Sequence, residues 1–139
     1  LEPDVLLSHT NDNPVFYVQY AHARTCQVRR NAEAAGVTGQ GFDAGTLSEA
    51  QEAALLTALA DYPRVVAQAA QLREPHRIAR YLEDLAGSYH RWYDACRVTP
   101  LGDDPIEPVH HSRRVVNDAT GQVLANGLSL LGVSAPERM

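Results

Sequence analysis

The apolar positions of the chain recur at intervals of three and four residues, which is the spacing of one face of an α-helix. The longest such pattern consists of Ile78, Leu82, Leu85, Tyr89 and Trp92. No segment of useful length alternates between apolar and polar residues, so β-strands are not expected. The pattern predicts an all-α protein, built as a bundle of about five helices.

Start and stop signals predict where the first two helices lie. Asn13 is a suitable N-cap and Pro14 a suitable first residue for a helix that runs to about residue 34 and ends before Gly36. A capping box predicts the start of the second helix, and two pairs of residues fit it. These pairs are Thr46 with Glu49 and Ser48 with Gln51. The second helix is expected to end near residue 61.

Two prolines open the next helices, because proline is favoured at the first helical position. Pro63 opens a third helix and Pro75 a fourth. The inner face of the third helix is predicted to consist of Val65, Val66, Ala69, Ala70 and Leu72. A fifth helix follows from about residue 109 to about residue 131, and Gly121 within it is expected to cost about 1 kcal/mol relative to alanine. Residues 37–45 and 99–108 are expected to be loops.

The size of the chain favours one domain. It has 139 residues, of which 45% are hydrophobic, and this is enough for one ordinary core but short for two. We expect the domain to cover residues 14–139. Residues 1–13 are polar and interrupted by proline, so they are expected to be a connector.

The charge of the chain limits how it could bind nucleic acid. A net charge of −5 argues against a protein that coats nucleic acid through bulk electrostatics, although a local basic site is still allowed. All 12 basic residues are arginine, so each can bind a phosphate with two N–H groups or stack on a base. A compositional bias of the source genome explains the absence of lysine equally well.

The sequence carries no sign of export or of a membrane span. Apolar runs such as residues 5–7 are far shorter than the roughly 20 residues that cross a bilayer, and no signal peptide precedes them. Cys26 and Cys96 are far apart and have no metal-like spacing. We therefore expect a cytoplasmic protein without a metal site, and a monomer.

Three segments of the chain carry a resemblance to a known family. They read NPVFYVQYAHAR at residues 13–24, PHRIARYLEDLAGSYHRWY at residues 75–93 and QVLANGLSLLGVSAPERM at residues 122–139. In order and spacing they resemble the C-terminal, DALR-type anticodon-binding domain of arginyl-tRNA synthetases. Residues 36–46 and 99–112 match that domain poorly. Two residues of the predicted fifth helix also differ from it, since Arg114 stands where the family usually has leucine and Gly121 where it usually has a larger polar residue.

The resemblance implies a class I arginine–tRNA ligase, which activates arginine with ATP and magnesium in a separate catalytic domain and attaches it to arginine tRNA. The chain contains neither of the family's ATP-binding motifs, the HIGH type and the KMSKS type. We therefore expect a fragment that binds the anticodon stem-loop of arginine tRNA and is joined by residues 1–13 to the missing catalytic domain. The fragment itself is expected to be non-catalytic and to hold no cofactor.

The predicted binding site combines tyrosines with arginines. Proteins read single-stranded RNA by stacking its bases on aromatic rings, while arginines hold the phosphates. Tyr17, Tyr20 and Arg24 share one face of the first helix, and Arg30 lies close to that face. The resemblance implies that an anticodon pocket is lined by Tyr17, Tyr20, Arg30, Tyr93 and Met139. A half-buried position in the core is equally consistent with the sequence for Tyr17 and Tyr20.

A second basic group lies further along the chain. Arg73, Arg77 and Arg80 are spaced to share one helical face and could hold the tRNA backbone. A solvated face is the more ordinary interpretation, with these arginines paired to the nearby carboxylates of Glu74, Glu83 and Asp84. Trp92 continues the apolar stripe and is assigned to the core. His22 and His90 are assigned no role.

Two other functions compete with anticodon binding. A free-standing helical adaptor, descended from such a domain, would bind a protein partner instead of RNA. A small hydrolase would use Cys26 as its nucleophile, but the sequence offers this thiol no partner at the spacing of a catalytic triad. Anticodon binding is the leading hypothesis, and no catalytic or metal-binding residue is predicted.

Overall fold

Five α-helices form the described part of the chain, which in this computed structural model is residues 13–139. They are α1 (Pro14–Ala35), α2 (Ala50–Ala60), α3 (Tyr62–Leu72), α4 (His76–Ala95) and α5 (Pro108–Leu130), with a short 3-10 turn at Ala44–Thr46. The predicted all-α bundle of about five helices is confirmed. None of these helices is both long and apolar enough to span a bilayer. The predicted connector lies outside the described residues except for Asn13.

Helix α1 begins and ends where its sequence predicts. The side-chain oxygen of Asn13 accepts hydrogen bonds from the backbone N–H groups of Val15 at 3.0 Å and Phe16 at 3.4 Å. These N–H groups have no partner within the helix, which is why an asparagine cap stabilises its start. Gly36 ends the helix with a φ of 86°, a left-handed conformation that glycine adopts without steric cost.

Helix α2 starts at a different cap from either predicted pair. Glu49 is the N-cap, and its capping box is completed by Glu52. Thr46 is unavailable because it lies in the 3-10 turn, where its hydroxyl donates to the backbone oxygen of Asp43 at 2.7 Å. The predicted end of the helix is confirmed, since α2 stops at Ala60.

The inner face of α3 is narrower than predicted. Val65 and Ala69 are buried and Val66 is half-buried, but Ala70 and Leu72 are exposed. The prediction was wrong for these last two residues because α3 lies at the edge of the bundle and packs mainly against α4. One neighbouring helix covers only a narrow stripe of a helix surface.

The core is organised around α4, which contacts all four other helices. Its predicted apolar stripe is confirmed: Ile78, Leu82, Leu85, Tyr89 and Trp92 are all buried. The hydroxyl of Tyr89 within this core donates to the side-chain oxygen of Asn117 on α5 at 2.6 Å. Its polar atom is therefore satisfied inside the bundle, as a buried hydroxyl requires.

Helices α1 and α5 form the most extensive helix pair, and they approach closely at Gly121. A β-carbon on Gly121 would lie 2.5 Å from the hydroxyl oxygen of Thr25 on α1. The expectation that alanine would be better here by helix propensity is therefore wrong in this context, since the neighbouring helix occupies the space. Arg114 also has a place in this pairing, because it donates to the Val37 backbone oxygen and to Glu33, each at 2.8 Å.

A buried ion pair joins α2 to α5. Glu52 is fully buried and accepts from two nitrogens of Arg113, each at 3.1 Å, and from the indole N–H of Trp92 at 3.3 Å. Burial by itself would raise the pKa of Glu52, but the hydrogen bonds from Arg113 and Trp92 outweigh burial and lower it. The carboxylate is therefore held in its charged form inside the bundle.

Candidate nucleic-acid interface

A pocket of about 310 Å³ lies between α1, the end of α4 and the residues that follow α5. We call residues 131–139 the tail and this cavity the α1–tail pocket. Five of the six predicted site residues line it, namely Tyr20, Arg24, Arg30, Tyr93 and Met139. Its volume is within the range of small-ligand pockets, so it has room for part of an extended ligand such as one base of a single strand.

The pocket presents two aromatic rings to solvent. Tyr20 on α1 and Tyr93 on α4 are each 40% exposed, whereas Trp92, the neighbour of Tyr93 in the chain, is fully buried. A tyrosine next to a core residue on a helix lies at the border of the buried face, because each residue turns the helix by about 100°. Both rings therefore have surface that a ligand can reach.

Arg24 lies between these two rings. Its guanidinium carbon is 4.2 Å from the centroid of the Tyr93 ring and 5.5 Å from that of Tyr20, which is the geometry of a cation–π contact. One of its terminal nitrogens lies 3.1 Å from Nδ1 of His90. His90 is the single hydrogen-bond partner of the Arg24 side chain within residues 13–139, so other N–H groups of the guanidinium remain available to a ligand in the pocket.

Tyr17 is the one predicted site residue that does not line the pocket. It is half-buried against the core, and its ring meets the His90 ring edge-on at 5.3 Å between centroids. Of the two positions that the sequence left open for the tyrosines of α1, Tyr17 occupies the half-buried one and Tyr20 the exposed one.

The tail is held against α1 through its backbone. Three side chains of α1 donate to tail carbonyls: Gln19 to Ser134 at 2.9 Å, His22 to Pro136 at 2.9 Å and Arg30 to Glu137 at 3.5 Å. Because a carbonyl only accepts hydrogen bonds, His22 carries a proton on Nδ1. These bonds bring Met139 to the edge of the pocket, although its side chain is 55% exposed.

Arginine dominates the charge of the pocket. Arg24, Arg30 and Arg138 line it, with Glu137 as the acidic residue among the lining side chains. The pocket is therefore locally basic although the whole chain carries a net charge of −5. A local excess of arginine is what a protein of acidic composition needs in order to hold a phosphate.

The second basic group does not lie on one helix as its spacing predicted. Arg73 lies between α3 and α4 with a φ of 55°, and is thus outside either helix. Arg77 is paired with Glu74 at 2.6 Å, as the ordinary interpretation expects of a solvated arginine. Arg80 is exposed on α4. The three arginines therefore do not share one face of a single helix.

Sequence reasoning missed several residues of this region. Gln27 and Asn31 line the pocket and are hydrogen-bonded to each other at 2.9 Å. They follow Tyr20 and Arg24 at helical spacing on α1, and that periodicity was the signal for them. His90 was also missed, although it lies one turn before Tyr93 on α4.

The hydrolase alternative finds no support in the geometry. The sequence offered Cys26 no partner, but that expectation was wrong, since its sulfur lies 3.8 Å from Nε2 of His22 one turn earlier. Cys26 is nevertheless only 2% exposed, which disfavours attack of its thiol on a substrate. Cys96 is also buried, and burial raises the pKa of its thiol to about 11, which disfavours the reactive thiolate.

Known proteins similar to this chain identify its family. Residues 18–139 match the family described as the DALR anticodon binding domain. The arginine–tRNA ligase of Clavibacter sepedonicus is 64% identical to this chain, over 97% of the chain and 24% of that protein. The arginine–tRNA ligase of Paenarthrobacter aurescens is 62% identical, over 100% of the chain and 25% of that protein. The chain thus spans about a quarter of the length of these relatives.

A solved structure agrees with the sequence relatives. The arginyl-tRNA synthetase of Thermus thermophilus superposes with a TM-score of 0.75 at 35% identity, over 96% of this chain and 22% of that chain. The family match at residues 18–139 includes all the residues of α1, α4 and the tail that line the α1–tail pocket. The chain belongs to the DALR anticodon-binding domain family.

Proposed function

We propose that the α1–tail pocket binds the anticodon loop of arginine tRNA, and that the chain is the anticodon-recognition part of an arginine–tRNA ligase. The observation that carries the proposal is the placement of Arg24 against Tyr93, with Tyr20 and Met139 beside them in one pocket. Exposed aromatic rings next to arginines are the combination with which proteins hold splayed single-stranded bases.

Each lining residue has a role in this proposal. Tyr20 and Tyr93 stack on bases, Arg24 donates to a base edge or a phosphate, and Arg30 holds the tail while keeping its charge near the RNA backbone. Met139 closes the pocket from the tail side. Tyr17 supports the pocket through His90 and does not touch RNA.

The activity of the longer protein is also part of the proposal. The relatives are named arginine–tRNA ligase, and we place the ATP- and magnesium-dependent attachment of arginine in a catalytic domain outside this chain. The described residues hold no group of three or more histidine, cysteine, aspartate or glutamate side chains that could bind a metal. We propose that the protein acts in the cytoplasm, as a monomer.

Titration with RNA tests the proposal. Every arginine codon has G as its middle base, so every arginine anticodon has C there. We expect saturable binding of an anticodon stem-loop that carries an arginine anticodon, and weaker binding of a matched stem-loop in which this C is replaced by G. Equal binding of the two RNAs, or no binding of either, would overturn the proposal. Saturable binding of a protein partner together with no RNA binding would support the adaptor function instead.

A further inference from the structure

His90 lies at the centre of the ring cluster behind the pocket. Its ring centroid is 5.3 Å from that of Tyr17 and 5.7 Å from that of Tyr20, both on α1, and 5.9 Å from that of Tyr89 on α4. His90 does not itself line the α1–tail pocket. Any effect it has on a ligand must therefore pass through a neighbouring side chain.

The hydrogen bond between Arg24 and His90 fixes the state of the imidazole. Arginine only donates hydrogen bonds, so Nδ1 of His90, 3.1 Å from the guanidinium nitrogen, must accept. The ring is then neutral and carries its proton on Nε2. That Nε2 is buried and has no hydrogen-bond partner among the described residues.

A histidine is a costly choice for this position unless its Nδ1 has a use. A buried N–H without a partner destabilises the fold, and a phenylalanine would fill the same space among the tyrosines without that cost. The advantage of an imidazole over an apolar ring here is the bond to Arg24. The polar atom of His90 thus serves Arg24 and not the packing of the core.

We propose that His90 is a positioning residue, which holds the guanidinium of Arg24 over the Tyr93 ring and thereby presents the remaining N–H groups of Arg24 to the ligand. This inference rests on the proposed function. Without the bond to His90, the long and flexible Arg24 side chain has to be ordered by the ligand itself, and the entropy lost in that ordering weakens binding.

The arrangement requires His90 to remain neutral. Protonation would remove the acceptor and place a second positive charge beside the guanidinium of Arg24. The groups that face His90 are Arg24, Tyr17 and Tyr20 from α1, and Tyr89 and Asp94 from α4. Burial and then Arg24 lower the pKa of His90 from its ordinary value of 6.5, against an opposing effect of Asp94. The bond is thus intact at neutral pH and is lost as the pH falls through this lowered pKa.

Two substitutions of His90 separate positioning from packing. His90→Phe keeps a ring of similar size but removes the acceptor, and His90→Asn loses the ring but keeps an oxygen near the position of Nδ1. We expect His90→Phe to weaken binding of the arginine anticodon stem-loop by about 10-fold or more, as for loss of a charge-assisted hydrogen bond. His90→Asn should bind within about threefold of the unchanged chain, which is the difference left by an intact bond. His76→Phe, at an exposed histidine of the same helix, is the matched control and should have no effect.

The pH profile gives a readout that packing alone would not change. Binding by the unchanged chain should weaken as the pH is lowered through the lowered pKa of His90, and His90→Asn should lack this decrease. His22 is not part of this arrangement, because its Nδ1 donates to the backbone oxygen of Pro136 and not to Arg24. Identical pH profiles for the two proteins would overturn the inference.

An RNA-free measurement distinguishes failure of this inference from failure of the proposed function. NMR of the chain should find His90 with its proton on Nε2, and the Arg24 side-chain protons shifted by the Tyr93 ring current. His90→Phe should abolish that ring-current shift, and His90→Asn should retain it. If the shift survives in His90→Phe, the positioning role is wrong even where RNA binds. If the shift behaves as expected and no RNA binds, the positioning of Arg24 stands and the proposed function fails.

Discussion

The guanidinium carbon of Arg24 lies 4.2 Å from the centroid of the Tyr93 ring, so the arginine covers one face of that ring before any ligand is present. A base can then use the exposed part of Tyr93 and the nearby ring of Tyr20. The cation already in contact with the ring also compensates negative charge on an approaching nucleotide. The pair is therefore assembled in advance, which reduces the cost of ordering side chains on binding.

Tyr93→Ala removes this stacking surface. Stacking of a base on an aromatic side chain contributes about 1–3 kcal/mol, so we expect the affinity for the arginine anticodon stem-loop to fall by roughly 5- to 150-fold. Tyr93→Phe should reduce the affinity much less if the ring is the binding element, and nearly as much as Tyr93→Ala if the hydroxyl hydrogen-bonds to a base edge. Binding isotherms and thermal melts of both variants are the measurements.

A matched control is available for this prediction. Phe42 is an exposed aromatic residue, 47% accessible, that does not line the pocket. Phe42→Ala should therefore leave RNA affinity unchanged. An unstable Tyr93→Ala variant with unchanged affinity per folded molecule would mean that Tyr93 is a packing residue.

The sequence was sufficient where local signals decide the structure. The caps of α1 and the buried stripe of α4 depend on residues within a few turns of one another, and both were predicted correctly. The start of α2 was predicted incorrectly, because the Thr46 hydroxyl donates to Asp43 in the preceding turn. The exposure of Ala70 and Leu72 was also not predicted, because burial of residues on α3 depends on how many other helices pack against that helix.

The same distinction applies to the pocket. Its predicted residues came from sequence segments with a recognisable pattern, and five of them are brought together. The placement of Tyr17 behind His90, and the bond from His90 to Arg24, depend on how α1 packs against α4. The spacing of residues within either helix does not contain that information.

The contact between Thr25 and Gly121 leads to a prediction about stability. We expect Gly121→Ala to lower the free energy of unfolding by about 1–3 kcal/mol, because the new β-carbon overpacks the contact between α1 and α5. Gly87→Ala is the matched control, since a β-carbon there meets mainly the end of the exposed Arg91 side chain, at 3.3 Å. That variant should gain up to about 1 kcal/mol from helix propensity. Urea unfolding of both variants checks the contrast.

A double-mutant cycle shows whether the Thr25 contact is the cause. Thr25→Ala alone removes the hydroxyl, which donates to the backbone oxygen of His22 at 2.6 Å, and should be moderately destabilising. In the double variant with Gly121→Ala, the loss should be smaller than the sum of the two single losses, because the clash is relieved. Additive losses would show that Gly121 is required for another reason.

The lowered pKa of Glu52 predicts how the fold responds to acid. A carboxyl group whose pKa is lower in the folded than in the unfolded protein stabilises the fold at pH values above its unfolded pKa, which for Glu52 is near 4.5. This stabilisation is lost as the pH falls through the pKa of the folded protein. Glu52→Gln should lower the free energy of unfolding by about 3 kcal/mol at neutral pH, because it leaves the charge of Arg113 without its buried partner. The variant should also lose less stability than the unchanged chain between neutral pH and pH values below 4.5.

Glu33→Gln is the control for Glu52. Glu33 also pairs with an arginine, Arg114 at 2.8 Å, but its side chain is 59% exposed, and exposed pairs contribute at most about 1 kcal/mol. Thermal melts across the pH range compare the two substitutions. If the two substitutions lower the free energy of unfolding by the same amount, burial does not determine how much Glu52 stabilises the fold.

Salt dependence reports how many phosphates the pocket holds. Three arginines line it, and for single strands each phosphate contact contributes about −0.7 to the slope of log affinity against log salt, so we expect a slope of about −2. Stem-loop titrations at several salt concentrations measure it. A slope near −8 would require a much larger basic surface than this pocket provides.

The last residues of the tail should carry discrimination between anticodons and not stability. Glu137, Arg138 and Met139 line the pocket, while the tail residues that pack against the core are Leu131, Val133 and Ala135. Deleting residues 137–139 should therefore abolish the preference for the middle C of an arginine anticodon and leave helicity nearly unchanged. Circular dichroism and paired stem-loop titrations measure the two effects.

Single substitutions separate the methionine from its neighbours. Met139→Ala should reproduce part of the loss seen on deletion, because a flexible apolar side chain closes the pocket beside Tyr20 and Tyr93. Leu130→Ala is the matched control, since Leu130 is 56% exposed at the end of α5 and does not line the pocket. Its binding should equal that of the unchanged chain. If the deletion variant still prefers the middle C, recognition resides in α1 and α4 alone, and the hydrogen bonds that hold the tail serve only the fold.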